Sequence, residues 1–134
     1  MRILIVEHEP LIALSLAAEL RGAGHEVLGP CNDGDEAVCI ACDRCADLAL
    51  VDAGLTGSMS GLELARTLQT EFGVPVLLLT TQPANIRASS DAALGLIALP
   101  FDPAELPETV HAAHIVIHGG RPPNSNLPHS LRLF

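Results

Sequence analysis

Four polar side chains that could do chemistry together follow directly after short apolar runs of the chain. Glu7 and His8 follow RILIV, Asp52 ends LALVD, and Thr80 follows VLLL. Apolar runs of this length, with Val and Leu on both faces, are typical of strands buried between two helical layers. Because the carboxyl ends of parallel strands meet at one rim of a sheet, these side chains are expected to lie together where α/β proteins bind ligands.

The elements that must position these residues alternate between strands and helices. Apolar runs predict five strands, at residues 2–6, 25–30, 48–55, 76–79 and 95–99, and helical spacing predicts five helices, at 10–22, 33–45, 61–72, 83–93 and 103–118. This alternation predicts an α/β fold with a parallel sheet, and right-handed crossovers make it doubly wound, with helices on both faces. Residues 1–118 are predicted to form one domain, and the Pro- and Asn-rich residues 119–134 a tail.

Composition excludes several classes of function. A net charge of −9 argues against nucleic acid as a direct partner, because phosphate backbones need clustered Lys and Arg. No apolar run is long enough to span a membrane, and no basic segment of the kind that begins a signal peptide precedes the first strand. The four cysteines then point to a reduced, cytoplasmic setting rather than to a disulfide framework.

Four segments, in order and at matching spacing, carry a resemblance to a known family. ILIVEHEP, LALVDAGL, LLLTTQ and ALPFDPAEL resemble the receiver domain of two-component response regulators, over about residues 1–118. The resemblance implies a flavodoxin-like fold with strand order 2-1-3-4-5. It also implies that a histidine kinase or phosphotransfer protein donates a phosphoryl group to Asp52, that Thr80 is the switch residue, and that the chain signals to a downstream protein rather than acting as an enzyme.

Three positions depart from the family pattern: His8, Leu99, and Leu96, where the family commonly has an aromatic that turns inward on activation. The first two bear directly on its chemistry. The family has two acidic residues that hold Mg²⁺ after the first strand, and here they are Glu7 and His8. The resemblance leaves Glu7, Asp52 and the backbone carbonyl of Gly54 as Mg²⁺ ligands. His8 weakens the site, because an imidazole nitrogen suits a transition metal better. The family's Lys before the fifth-loop Pro is Leu99, so a charge-assisted hydrogen bond to the phosphoryl group, worth roughly 1.5–3 kcal/mol, is lost.

Two functional interpretations are therefore open. In the first, the chain is a single-domain receiver in a phosphorelay, and His8, when protonated, partly replaces the missing cation beside Asp52. In the second, it is a pseudo-receiver, an interaction module that works without phosphorylation. A flavin-binding enzyme of the same fold is disfavoured, because the chain has no Gly-rich loop after the first strand and no Trp or Tyr to stack on a flavin.

Two further clusters of potential ligands lie on predicted helices. Three thiols on the second helix could bind a metal or sense redox state, although reduced surface thiols are the commoner case. Three imidazoles on the last helix could bind a metal, sense pH or belong to a partner face, including that of a homodimer. These residues are Cys39, Cys42 and Cys45 on the second helix, and His111, His114 and His118 on the last.

Overall fold

A twisted sheet with a single antiparallel edge forms the centre of the protein. The structure is a computed structural model and describes residues 1–86, 92–122 and 127–134. The strands are Arg2–Val6 (β1), Glu26–Cys31 (β2), Leu48–Asp52 (β3), Val76–Thr80 (β4), Gly95–Ala98 (β5) and Leu131–Leu133 (β6). Their order is β2-β1-β3-β4-β5-β6, with parallel pairing except between β5 and β6. The predicted α/β fold and the order of the first five strands are confirmed, whereas the predicted count of five strands is wrong.

Helices cover both faces of this sheet. The described part of the chain contains the α-helices Pro10–Gly22 (α1), Gly34–Arg44 (α2), Gly61–Glu71 (α3) and Leu106–Ile117 (α4). Successive side chains of a strand point to opposite faces, so each central strand contributes to two cores. Leu50 packs into a core that includes Leu16 of α1 and Val110 of α4, and Val51 packs into a core that includes Leu64 of α3. The predicted doubly wound arrangement is confirmed.

Polar side chains fix where two of these helices begin. The Asp33 carboxylate accepts a hydrogen bond from the Glu36 amide, and α2 follows it. At α3, the Ser60 hydroxyl accepts from the Glu63 amide while the Glu63 carboxylate accepts from the Ser60 amide, so two amides without a helical partner are satisfied reciprocally. This cap therefore ends the loop that begins at Asp52, the last residue of β3.

The end of the predicted tail is a strand. In β6 and beside it, the Ala98 amide donates to the Ser130 carbonyl, and the Phe134 amide donates to the Leu94 carbonyl, both at 2.8 Å. A Cβ atom on Gly95 would lie 2.3 Å from the Arg132 carbonyl oxygen, so only glycine allows this close approach. The pairing covers the edge of β5, which a five-stranded sheet would leave exposed. A domain boundary at residue 118 stays a prediction.

The predicted helix at residues 83–93 is only partly open to comparison. Residues 87–91 lie outside the described residues, and the described part contains a 3-10 turn, Pro83–Asn85. The predicted helix at 103–118 begins with another 3-10 turn, Pro103–Glu105, before α4. Among the described helices, none combines the length and the apolar character that crossing a membrane requires.

Candidate functional site

The predicted site residues line one cavity at the carboxyl ends of the parallel strands. Its volume is about 510 Å³. Glu7 and His8 follow β1, Asp52 ends β3, Thr80 ends β4 and Leu99 follows β5, and all five line this cavity. The topology explains why, since neighbouring parallel strands all end at this rim.

Asp52 presents a carboxylate whose two oxygens have different partners. The residue is 6% exposed, although it lies at the cavity wall. Its Oδ1 accepts a hydrogen bond of 2.8 Å from the Gly54 amide, and its Oδ2 contacts Nδ1 of His8. The amide fixes the orientation of the carboxylate, so Oδ2 is the oxygen that faces the other polar groups of the site.

Glu7 is a buried carboxyl group, and only one of its two oxygens accepts a hydrogen bond from the described residues. It is 4% exposed, and its Oε1 accepts a hydrogen bond of 3.1 Å from the Glu9 amide. Its Oε2 has no hydrogen-bond partner among the described residues. Burial raises the pKa of Glu7 to about 7, and the charge of Asp52 adds to this, while the Glu9 amide opposes it. A buried oxygen without a partner is costly, so this position is suited to an additional ligand.

His8 is the most exposed member of the group. Its side chain is 54% exposed. Nδ1, which contacts Asp52, also lies 3.3 Å from Oε1 of Glu7, and Nε2 lies 3.8 Å from a carboxylate oxygen of Glu9. The hydrogen bond to Asp52 raises the pKa of His8, and the surrounding carboxylates add to the effect. That protonated His8 substitutes for the family's Lys stays a prediction.

Thr80 and Leu99 form the opposite side of the cavity. The Thr80 hydroxyl oxygen accepts from the Gln82 amide at 3.0 Å, which leaves its hydrogen able to donate toward the cavity. Leu99 is half-buried, and its amide donates to the Thr80 carbonyl at 2.7 Å. No Lys or Arg is among the described residues that line the cavity, and the seven basic residues of the sequence are all arginines.

Sequence reasoning did not identify two residues that shape the site. The Glu9 amide holds Glu7, and the Gln82 amide holds Thr80. Both contacts run from a side chain to the backbone two residues further along, which is a common local pattern for acidic and hydroxyl residues at strand ends. This two-residue spacing is visible in the sequence and could have predicted both contacts.

The donor atoms fit a divalent cation, but they fit the cation that the family resemblance implies less well. One donor atom each from Glu7, His8 and Asp52 lies within 4.8 Å of the others, and the unpartnered Oε2 of Glu7 calls for a ligand. Mg²⁺ requires a near-octahedral set of oxygens, whereas one of these three donors is an imidazole nitrogen. The set therefore fits Mg²⁺ less well than it would if position 8 were also a carboxylate. The carbonyl of Gly54 stays a predicted ligand, although Gly54 does line the cavity.

The other predicted clusters lie away from the cavity. Cys39, Cys42 and Cys45 are exposed and form no disulfide, and Cys31 is buried, which raises the pKa of its thiol to about 11. His111, His114 and His118 are exposed on and beside α4. The rings of His114 and His118 lie 4.2 Å apart. Roles for both clusters stay predictions.

Comparison with known proteins identifies the family. The sequence model of the response regulator receiver domain matches residues 3–111. The chain is 38% identical over 113 residues to the phyllosphere-induced regulator PhyR of Methylorubrum extorquens, a match that covers 83% of this chain and 42% of PhyR. The chain spans about half or less of the length of this and other curated relatives.

Solved structures of receivers share the fold. The chemotaxis response regulator CheY4 of Vibrio cholerae superimposes with a TM-score of 0.72 at 26% identity, covering 82% of this chain and 95% of CheY4. The anti-anti-sigma factor PhyR from Bartonella quintana gives a TM-score of 0.68 at 25% identity, covering 81% of this chain and 45% of that protein. Receiver domains are regulatory modules of two-component signalling. With the family match over most of its length, the chain belongs to the response regulator receiver domain family.

Proposed function

We propose that this domain accepts a phosphoryl group on Asp52 in a phosphorelay and passes the signal on through protein–protein contacts. One observation carries the proposal: Asp52 ends β3 at the wall of a cavity that Thr80 also lines. The Gly54 amide holds Oδ1, so Oδ2 is the attacking oxygen. The half-exposed His8 ring can rotate away from Oδ2 when a donor approaches.

The covalent step is a displacement at phosphorus. Oδ2 of Asp52 attacks the phosphorus of the donor, the bond from phosphorus to the donor's leaving group breaks, and an acyl phosphate remains on Asp52. The Thr80 hydroxyl would then donate its hydrogen to a phosphoryl oxygen, as its predicted role as the switch requires. Two unit negative charges at ~4 Å repel by about 4 kcal/mol at an effective dielectric constant of ~20. Leu99 does nothing to offset this repulsion, so we expect slow transfer and a small phosphorylated fraction.

Exposed apolar groups beside the cavity support a protein as the phosphodonor. Leu11 and Leu14 of α1 are 80% and 61% exposed. Leu11 also lines a mostly apolar groove with Phe101, and Leu99 lies in both this groove and the site cavity. A histidine kinase or phosphotransfer protein that docks on this groove would bring its phosphoryl group to Asp52.

A protein target is the output that the PhyR relatives favour. The Bartonella quintana relative is described as an anti-anti-sigma factor, which is a role carried out through protein contacts. We infer a protein target for this chain as well. Homodimerisation through the exposed face of α4 is a second form that such protein contacts could take.

A pseudo-receiver is the alternative function, and a specific observation favours it. Oδ2 of Asp52 already has a partner in His8, and Leu99 stands where a cation would stabilise the phosphorylated state. In that case the domain would bind its partner in one conformation, with or without a phosphodonor.

Intact mass spectrometry separates the two functions. The protein is incubated with acetyl phosphate and either Mg²⁺ or Co²⁺, and Asp52→Asn is treated in parallel. Asp43→Asn, which changes an exposed carboxylate of α2 in the same way, is the matched control. One added phosphoryl group in the wild type and in Asp43→Asn, but not in Asp52→Asn, supports the phosphorelay. No added group with either metal supports the pseudo-receiver.

A further inference from the structure

We propose that Glu7, His8 and Asp52 form a binding site for a divalent transition metal of the Zn²⁺ or Co²⁺ class, in preference to Mg²⁺. The inference goes beyond the proposed function, because metal binding requires no phosphodonor and would also occur in a pseudo-receiver. It concerns the kind of cation that this particular site selects.

The site already has three converging donors. Two carboxylate oxygens and one imidazole nitrogen lie within 4.8 Å of one another, a spacing that small side-chain movements bring to that of ligands around one ion. Two of the donors are held in place, since the Glu9 amide fixes Glu7 and the Gly54 amide fixes Asp52. His8 is half-exposed, so its ring can move back to admit an ion between Nδ1 and Oδ2.

A buried oxygen without a partner points independently to a ligand. Glu7 is 96% buried, and its Oε2 has no hydrogen-bond partner among the described residues. An unsatisfied carboxylate oxygen in this position costs free energy that a bound cation would recover. The hydrogen bond to Glu9 occupies only Oε1, so Oε2 is available for coordination.

The types of donor atom determine the preference among metals. Zn²⁺ and Co²⁺ accept imidazole and carboxylate ligands together, and three protein donors leave a fourth tetrahedral position for water or a phosphoryl oxygen. Mg²⁺ prefers six oxygens and binds imidazole poorly. Replacing His8 by Asp would place two carboxylates side by side and should narrow the preference.

The experiment must exclude the exposed thiols and the imidazoles of the last helix. Cys39, Cys42 and Cys45 are therefore replaced together by Ser, and this protein is the reference for all further variants. Co²⁺ is titrated into it without a phosphodonor and followed by visible absorption, and Zn²⁺ and Mg²⁺ are then added as competitors. His114→Ala, an exposed imidazole outside the cavity, is the matched control for His8→Ala.

The proposal predicts one bound Co²⁺ per chain, displaced by Zn²⁺ at far lower concentration than by Mg²⁺. His8→Ala should lose at least about 100-fold in affinity, since even residues that only support a metal ligand cost 10- to 100-fold when they are changed. His114→Ala should bind as the reference does, and His8→Asp should gain Mg²⁺ affinity while losing Co²⁺ affinity.

Three results would overturn the proposal. They are unchanged Co²⁺ binding in His8→Ala, a loss of binding in His114→Ala, or displacement by Mg²⁺ as effective as by Zn²⁺. The readout is the spectrum of the bound ion, so a negative result would not bear on phosphoryl transfer to Asp52. In the same way, absence of phosphoryl transfer would not bear on metal binding.

Discussion

Replacing the buried Glu7 by Gln should remove a loss of stability that the metal-free protein shows as the pH rises. Burial raises the pKa of Glu7 from 4.5 to about 7, so its protonated form is favoured in the folded state. The stability that this group contributes is fully present below pH 4.5 and is lost as the pH rises through 7. A shift of about 2.5 units corresponds to about 3 kcal/mol. Gln has nearly the same shape and never ionises, so Glu7→Gln should be within about 1 kcal/mol of the wild type near pH 5 and up to about 3 kcal/mol more stable near pH 8.

Urea unfolding at pH 5 and pH 8, with EDTA present to remove divalent cations, measures this difference. In a chain of this size, the difference at pH 8 corresponds to roughly 10 °C in melting temperature. Glu71→Gln, which changes an exposed carboxylate at the end of α3, is the control and should shift little at either pH. Equal wild-type and Glu7→Gln stability at pH 8 would show that Glu7 is not a buried carboxyl group with a raised pKa.

Further predictions concern the missing cation, the sixth strand and the thiols. Leu99→Lys should raise the phosphorylated fraction about ten- to a hundredfold by intact mass spectrometry, whereas Leu62→Lys, which adds the same charge on α3, should not. Gly95→Ala should weaken the pairing of β6, because the new Cβ would meet the Arg132 carbonyl, and hydrogen exchange of the Ala98 amide should accelerate. Gly22→Ala is the control and should leave that exchange slow, because no atom lies within 4 Å of a Cβ at Gly22. A thiol reagent should modify three cysteines in the folded protein and four in urea, because Cys31 is buried and its thiol has a pKa of about 11. Four reactive thiols in the absence of urea would contradict the burial of Cys31.

The sequence was sufficient to predict the parallel part of the fold. Runs such as RILIV and VLLLT are apolar on both faces, which is distinctive for strands covered by helices on both sides. The sixth strand was missed because LRL is three residues long and its pairing with Gly95 depends on tertiary contact rather than on local pattern. The tail could be recognised as lacking helical periodicity, but not as an edge strand.

The identities of the site residues were predicted from the sequence, but their burial and their contacts with one another were not. Strand-end positions placed Glu7, His8, Asp52 and Thr80 at one rim, because topology alone determines that arrangement. The burial of Glu7 could not be read from the sequence, since it depends on how the loops after β1 and β3 pack around it. For the same reason, the unpartnered Oε2 and the contact between His8 and Asp52 appear only in the structure.

We propose above that the carboxylate of Asp52 is the nucleophile that takes up the phosphoryl group, and a chemical trap tests this directly. After treatment with a phosphodonor, borohydride reduces an acyl phosphate on aspartate to homoserine and releases the phosphate, and tandem mass spectrometry of the digested protein locates the altered residue. We expect homoserine at position 52 in the wild type, and none when Asp52 is replaced by Asn. Homoserine at another aspartate, or its absence everywhere despite an added phosphoryl group, would contradict this account.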